Sequence, residues 1–174
     1  MIADVAGRGR FITFEGGEGA GKSVQARILA QRLGGAGLKV ALTREPGGSP
    51  LAEVLRQVIL SGDAARLGAE GEALLFSAAR IDHIEATIAP ALERGAWVVC
   101  DRFADSTRVY QGAAGRLDEA FISRLEQVAV GETRPDLTVI LDLPPKQGLA
   151  RASITAQRSG SRRAIFKNAA RSAR

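Results

Sequence analysis

The chain has one cysteine, one histidine, one methionine, one tryptophan and one tyrosine among its 174 residues. The lone Cys100 excludes an intrachain disulfide framework and a zinc site built on cysteines. With His83 the only histidine, an ordinary transition-metal site is excluded as well, so any metal should be a hard cation held by oxygen. No apolar run approaches the roughly 20 residues that span a bilayer, so no membrane partner is expected. Met1-Ile2-Ala3-Asp4 carries an early acid and no apolar stretch; no secretory signal is expected, and the expected compartment is cytoplasmic. Acids are absent from Leu143 onward, where eight basic residues stand. Taking those eight from the 24 bases leaves 16 against 19 acids, so residues 1–142 carry a net charge of −3. The overall +5 therefore describes a tail. With Phe166 as its one aromatic, that tail argues against nucleic acid as a partner.

What is present fits one compact domain, with 45% apolar and 25% charged residues. Phe11 to Phe14, Lys39 to Thr43, Trp97 to Cys100 and Leu137 to Leu141 are short apolar runs of strand length. Between them, residues 22–33, 50–60, 70–93 and 118–130 read as helices, the first stopped by Gly34-Gly35. On the long helix, Leu74, Ala78, Ile81, Ile84, Ile88 and Leu92 form the expected core stripe. Strands that are apolar throughout and alternate with helices belong to an α/β fold, a three-layer parallel sheet with helices on both faces. Ligands of such sheets lie beyond the carboxyl ends of the strands. After Arg151 the apolar register fails, so residues 1–152 are taken as the core and 153–174 as a basic, divergent tail, either weakly helical or disordered.

Gly16-Gly17-Glu18-Gly19-Ala20-Gly21-Lys22-Ser23 matches G-x-x-x-x-G-K-[ST] in full, between a strand and a helix. Glycines let backbone N–H groups wrap phosphate oxygens, and the following helix adds the positive end of its dipole. In this motif Lys22 reaches the β- and γ-phosphates and the Ser23 hydroxyl serves Mg²⁺, so ATP is the expected ligand. Asp101, at the tip of the third strand, is the candidate carboxylate supporting that metal, against the plainer role of capping a turn. Arg102 beside it points to an anionic substrate, giving a nucleotide kinase or another nucleoside triphosphatase.

Six segments, in order, resemble the bacterial thymidylate kinase family over roughly residues 11–152. They are Phe11 to Gly16, Thr43-Arg44-Glu45-Pro46-Gly47-Gly48, Leu75-Phe76-Ser77-Ala78-Ala79-Arg80, Asp101-Arg102, Ser106 to Gly112, and Arg134-Pro135-Asp136-Leu137 running into Leu141-Asp142. The resemblance implies a nucleotide-kinase fold and transfer of phosphate from ATP to dTMP with Mg²⁺, toward dTTP synthesis, in a homodimer. It implies that Phe76 stacks on thymine while Arg80 bonds the base edge. The pair stands i,i+4 on one helix face, opposite the expected core stripe. Packing of Phe76 beneath a loop is the alternative. Arg102 and Arg44 match residues on the acceptor monophosphate, where a guanidinium fork suits phosphate; Arg44 also reads as a solvated strand-end charge. Glu15 resembles the acid near the acceptor sugar and the metal. Pro46 shapes the loop facing the acceptor, and Ser106, Tyr110 and Gln111 match residues lining base and deoxyribose. Packing for Tyr110 and loop structuring for Gln111 stay open. His83 reads as a surface or rim histidine.

The acceptor's phosphate oxygen is already an anionic nucleophile, so no general base is required, and Lys22 and Arg102 are the expected catalytic pair. One branch of the family carries an arginine inside the P-loop; Gly17 to Ala20 place this chain in the other, which supplies arginines from a lid. Here the lid begins at Gly148-Leu149-Ala150-Arg151-Ala152, with Arg151 and Arg158 as candidates and Arg162 and Arg163 beyond. The continuation from Ser153 departs from the family pattern, through a changed reading frame or a true variant with a short basic lid. The last strand and helix are expected to be missing. An inactive or weakly active ATP-binding remnant is therefore the alternative function, and a kinase for another base is a further one.

Overall fold

The computed structural model describes residues 8–159. Four strands, β1 (Phe11–Gly16), β2 (Val40–Arg44), β3 (Trp97–Asp101) and β4 (Leu137–Leu141), form one sheet in the order β2-β3-β1-β4. Every pairing is parallel, as the apolar runs predict. The register sets Phe14 beside Asp101 and Gly16 beside Leu141, so the ends of three strands open onto the same edge.

Alternate residues of the strands feed two separate cores, one on each face of the sheet. On one face Phe11, Val98 and Cys100 pack against Ile84, Ile88, Leu92 and Val130. On the other, Ile12, Phe14 and Val99 pack against Ala26, with Leu29 and Leu33 of α1 (Lys22–Gly35) beside them. That is the three-layer arrangement expected, with helices covering both faces. The remaining helices are α2 (Pro50–Ser61), α3 (Gly68–His83), α4 (Ala89–Glu93), α5 (Ala104–Thr107), α6 (Glu119–Val130) and α7 (Pro145–Ser159). Proline at its first position and Ser49 in extended backbone before it start α2, and left-handed Gly62 ends it.

One expectation needs correction here. The stripe on the long helix does not hold: Leu74 is 52% exposed and Ala78 is exposed, whereas Ala73, Ser77, Arg80 and His83 are buried. The reason is a π-helical turn, Ile84–Ile88, between α3 and α4. Its i→i+5 bonding adds a residue to the turn and rotates the buried face, so Ile84, Ile88 and Leu92 enter the core but the residues before them do not share their phase. Small residues, Ala73 and Ser77, instead line the inner side of α3, which packs on α2 and α6. At the carboxyl end, helical backbone continues past Arg151 to Ser159 as α7, in line with the weakly helical alternative.

Candidate active site

At the carboxyl edge of the sheet, Gly16 leaves β1 and the chain turns through residues 17–21 into α1, with Gly21 in left-handed backbone. Lys22 is buried, and its Nζ donates to the carbonyls of Gly16 at 2.9 Å and Gly17 at 2.7 Å. Burial lowers its pKa from the ordinary lysine value, with the nearby Arg102 adding to the effect. Ser23 Oγ donates to Asp101 Oδ2, while Asp101 Oδ1 is buried with no hydrogen-bond partner among the described residues. An orphaned carboxylate oxygen beside a hydroxyl, at the mouth of a phosphate-binding loop, fits a hard cation such as Mg²⁺.

The loop also touches α7. A Cβ on Gly19 would lie 2.0 Å from the carbonyl oxygen of Gly148 and 3.2 Å from the amide nitrogen of Ala152, so only glycine permits this approach. That contact brings Arg151, between those two residues, to the neighbourhood of the phosphate loop. Arg158 lies on α7 as well, but its side chain, like Arg162 and Arg163 entirely, is outside the described residues.

Beside the loop lies a narrow cleft. Pro46, Phe76, Arg80, Arg102, Ser106, Tyr110 and Gln111 all line it, so seven residues singled out from sequence converge there. Arg102 holds left-handed backbone at φ 73°, costing on the order of 1–2 kcal/mol for a residue with a Cβ. Its guanidinium reaches Ser106 Oγ at 3.1 Å, pairs with Glu18 and sits 5.3 Å from the Tyr110 ring centre. A cation held at the boundary between loop and cleft is well placed to align an acceptor phosphate.

Two expected acceptor residues stand elsewhere. Arg44 bonds Glu53 at 2.8 Å and is 52% exposed, outside the cleft lining, because β2 ends at the sheet edge. Glu15 is buried beneath the cleft, accepting from the Phe103 amide at 2.7 Å, the Ser106 amide at 3.3 Å and Ser106 Oγ at 2.7 Å. Burial raises its pKa above the ordinary carboxylate value despite these bonds. Its contacts tie the start of α5 to β1 and thereby place Ser106.

Three lining residues escaped the sequence reading: Glu45, Phe103 and Thr107. Glu45 was visible in the Thr-Arg-Glu-Pro-Gly-Gly run, yet nothing in that run says it is buried. His83 is a correction outright. It is fully buried rather than at the surface, bonded to Thr43 Oγ1 at 2.7 Å and Glu45 Oε1 at 3.1 Å. The rotated face of α3 turns it inward beneath the loop after β2.

Comparison with known proteins follows the same segments. The family model described as thymidylate kinase matches residues 14–172. The chain is similar to the thymidylate kinase of Afipia carboxidovorans, 60% identical over 146 residues, covering 84% of this chain and 64% of that protein. The one from Bradyrhizobium sp. strain BTAi1 is 56% identical over 157 residues, covering 87% and 70%. The crystal structure of thymidylate kinase from Ehrlichia chaffeensis superposes with a TM-score of 0.71 at 36% identity, covering 88% of this chain and 83% of that one. The chain thus spans just under two thirds of the length of the first of these curated relatives.

Proposed function

We propose that this chain, which belongs to the thymidylate kinase family, transfers the terminal phosphoryl group of ATP to dTMP, giving dTDP and ADP. The observation that carries the reading is the convergence of Phe76, Arg80, Arg102 and Gln111 on one cleft beside the Gly16–Ser23 loop. Phe76 stacks on the base, Arg80 and Gln111 meet its edge, and Ser106 and Tyr110 border the sugar. Arg102 orients the acceptor phosphate toward the loop. The attacking atom is an anionic phosphate oxygen, so the work is positioning and charge stabilisation rather than proton removal. Lys22 and the loop amides take the donor phosphates. Ser23 and Asp101 would hold Mg²⁺, whose charge, when bound, offsets that of the donor phosphate oxygens. Arg151 at the start of α7 is the candidate lid arginine, with Arg158 farther along. Glu15 serves as a positioning residue beneath Ser106, and Arg44 acts from the rim.

The family resemblance also supports a cytoplasmic homodimer. Leu51, Val54 and Val58, at i, i+3 and i+7 on α2, leave one exposed apolar helix face suited to a second copy. Among the described residues no helix is long and apolar enough to cross a membrane. ADP release with dTMP, dUMP, dCMP and dGMP as acceptors tests the function. Turnover favouring dTMP supports it; a different preferred base refutes the acceptor assignment. No turnover alongside retained ATP binding makes the chain a non-catalytic remnant.

A further inference from the structure

The loop after β2 carries Glu45, Pro46, Gly47 and Gly48, and side chains of one helical stretch hold it from below. Thr87 Oγ1 donates to the Gly48 carbonyl at 2.8 Å, and Asp82 accepts from Ser49 Oγ at 2.5 Å and the Ala52 amide at 3.0 Å. His83, on the same face, fills the space beneath Gly48 so closely that a Cβ there would lie 2.4 Å from its Nε2.

The chemistry fixes the direction of each bond. A carboxylate only accepts, so the proton on the Glu45 side of His83 sits on Nδ1. In the neutral ring Nε2 is then an acceptor and takes the Thr43 hydroxyl proton. Glu45 is thereby held at Oε1 and presents Oε2 to Arg80 Nε at 2.8 Å. Arg80 Nη2 is spent on the Phe103 carbonyl at 3.2 Å and Thr107 Oγ1 at 3.0 Å. Nη1 carries none of these bonds, and Arg80 lines the cleft while being only 3% exposed.

We infer that His83 is a positioning residue for base selection, acting through Glu45 to fix the Arg80 guanidinium so that its Nη1 amino group is left for the cleft. A fixed group that can only donate favours a base edge that presents a carbonyl and disfavours one that presents an amino group. This rests on the proposed dTMP acceptor. The relay Thr43–His83–Glu45–Arg80 makes selectivity depend on a residue that never touches the base.

The test is calorimetric binding of dTMP and of dCMP to the wild-type chain, His83→Ala and His83→Asn, with ATP affinity measured in parallel. The alanine should lower the dTMP-to-dCMP affinity ratio roughly tenfold or more, since misplacement by a fraction of an ångström is felt steeply at such sites. Asparagine, whose amide stands near the place of Nδ1, should restore most of the ratio. ATP affinity should stay within about twofold in both. If His83→Ala does not fold, Thr43→Val decides, because it removes only the outer hydrogen bond and should shift the ratio the same way. A folded variant with an unchanged ratio, or equal loss of ATP and dTMP affinity, overturns the role of His83. A wild-type chain with no preference for dTMP overturns the acceptor assignment first, and the two failures are thus distinguishable.

Discussion

The two halves of the site are built from different material. The proposed donor half, residues 16–23, is mostly backbone: glycines in left-handed or otherwise unusual conformations, with Lys22 lying along the loop carbonyls. The proposed acceptor half is made of side chains delivered by several elements and cross-linked to one another. Glu45 from the loop after β2 meets Arg80 and His83 of α3, and Arg80 continues to Phe103 and Thr107 after β3. From α2, Glu53 and Arg56 hold the same loop at the Gly48 amide and the Pro46 carbonyl. A phosphate is much the same in every nucleotide, so backbone suffices to hold it. A base must be told from other bases, which demands side chains held in place.

Breaking each half should therefore give different losses. Lys22→Met should lower the transfer rate by about 10²–10³-fold while leaving dTMP affinity nearly unchanged, measured by steady-state ADP release and acceptor titration. A matched loss of dTMP affinity would erase the division between the halves. Arg80→Ala leaves the buried Glu45 carboxylate without its main partner and should cost about 3 kcal/mol in urea unfolding. Asp82→Ala, at the edge of the network, should cost only about 1 kcal/mol. Asp82 is held below the ordinary aspartate value by the Ser49 hydroxyl, with burial opposing. Because its folded pKa is depressed, its contribution is fully present above about pH 3.8 and fades as pH falls through the lowered value. Wild type and variant should therefore differ by a constant amount at neutral pH and converge in acid, as read by unfolding curves at several pH values.

The same division explains what the amino-acid sequence could disclose. The donor loop is legible because one contiguous string carries both its geometry and its chemistry, and the central strands β1 and β3 are legible because burial on both faces leaves them largely apolar. Phe76, Arg102 and Gln111 could be placed in one cleft through segments resembling a known family. The bonding beneath them could not. Whether His83 faces in or out depends on the phase of α3, which the π turn at Ile84–Ile88 resets, and periodicity assumes a constant phase. Glu15 resembles the family acid near the acceptor sugar and the metal, but its bonds to the Phe103 amide and the Ser106 hydroxyl cannot be read from its place beside the loop. Arg44 lies in a family-like run, but the nearby Glu53 captures it.

Amide hydrogen exchange, followed region by region in the protein alone and after addition of ATP with Mg²⁺, compares the two halves most directly. The hydrogen-bonded amides of Glu45, Gly48, Phe103 and Ser106 should be protected from the outset and change little, whereas those of residues 17–21 should exchange quickly until nucleotide is added. Equally fast exchange of the Glu45 and Gly48 amides in the protein alone would mean that the proposed acceptor half is not built in advance.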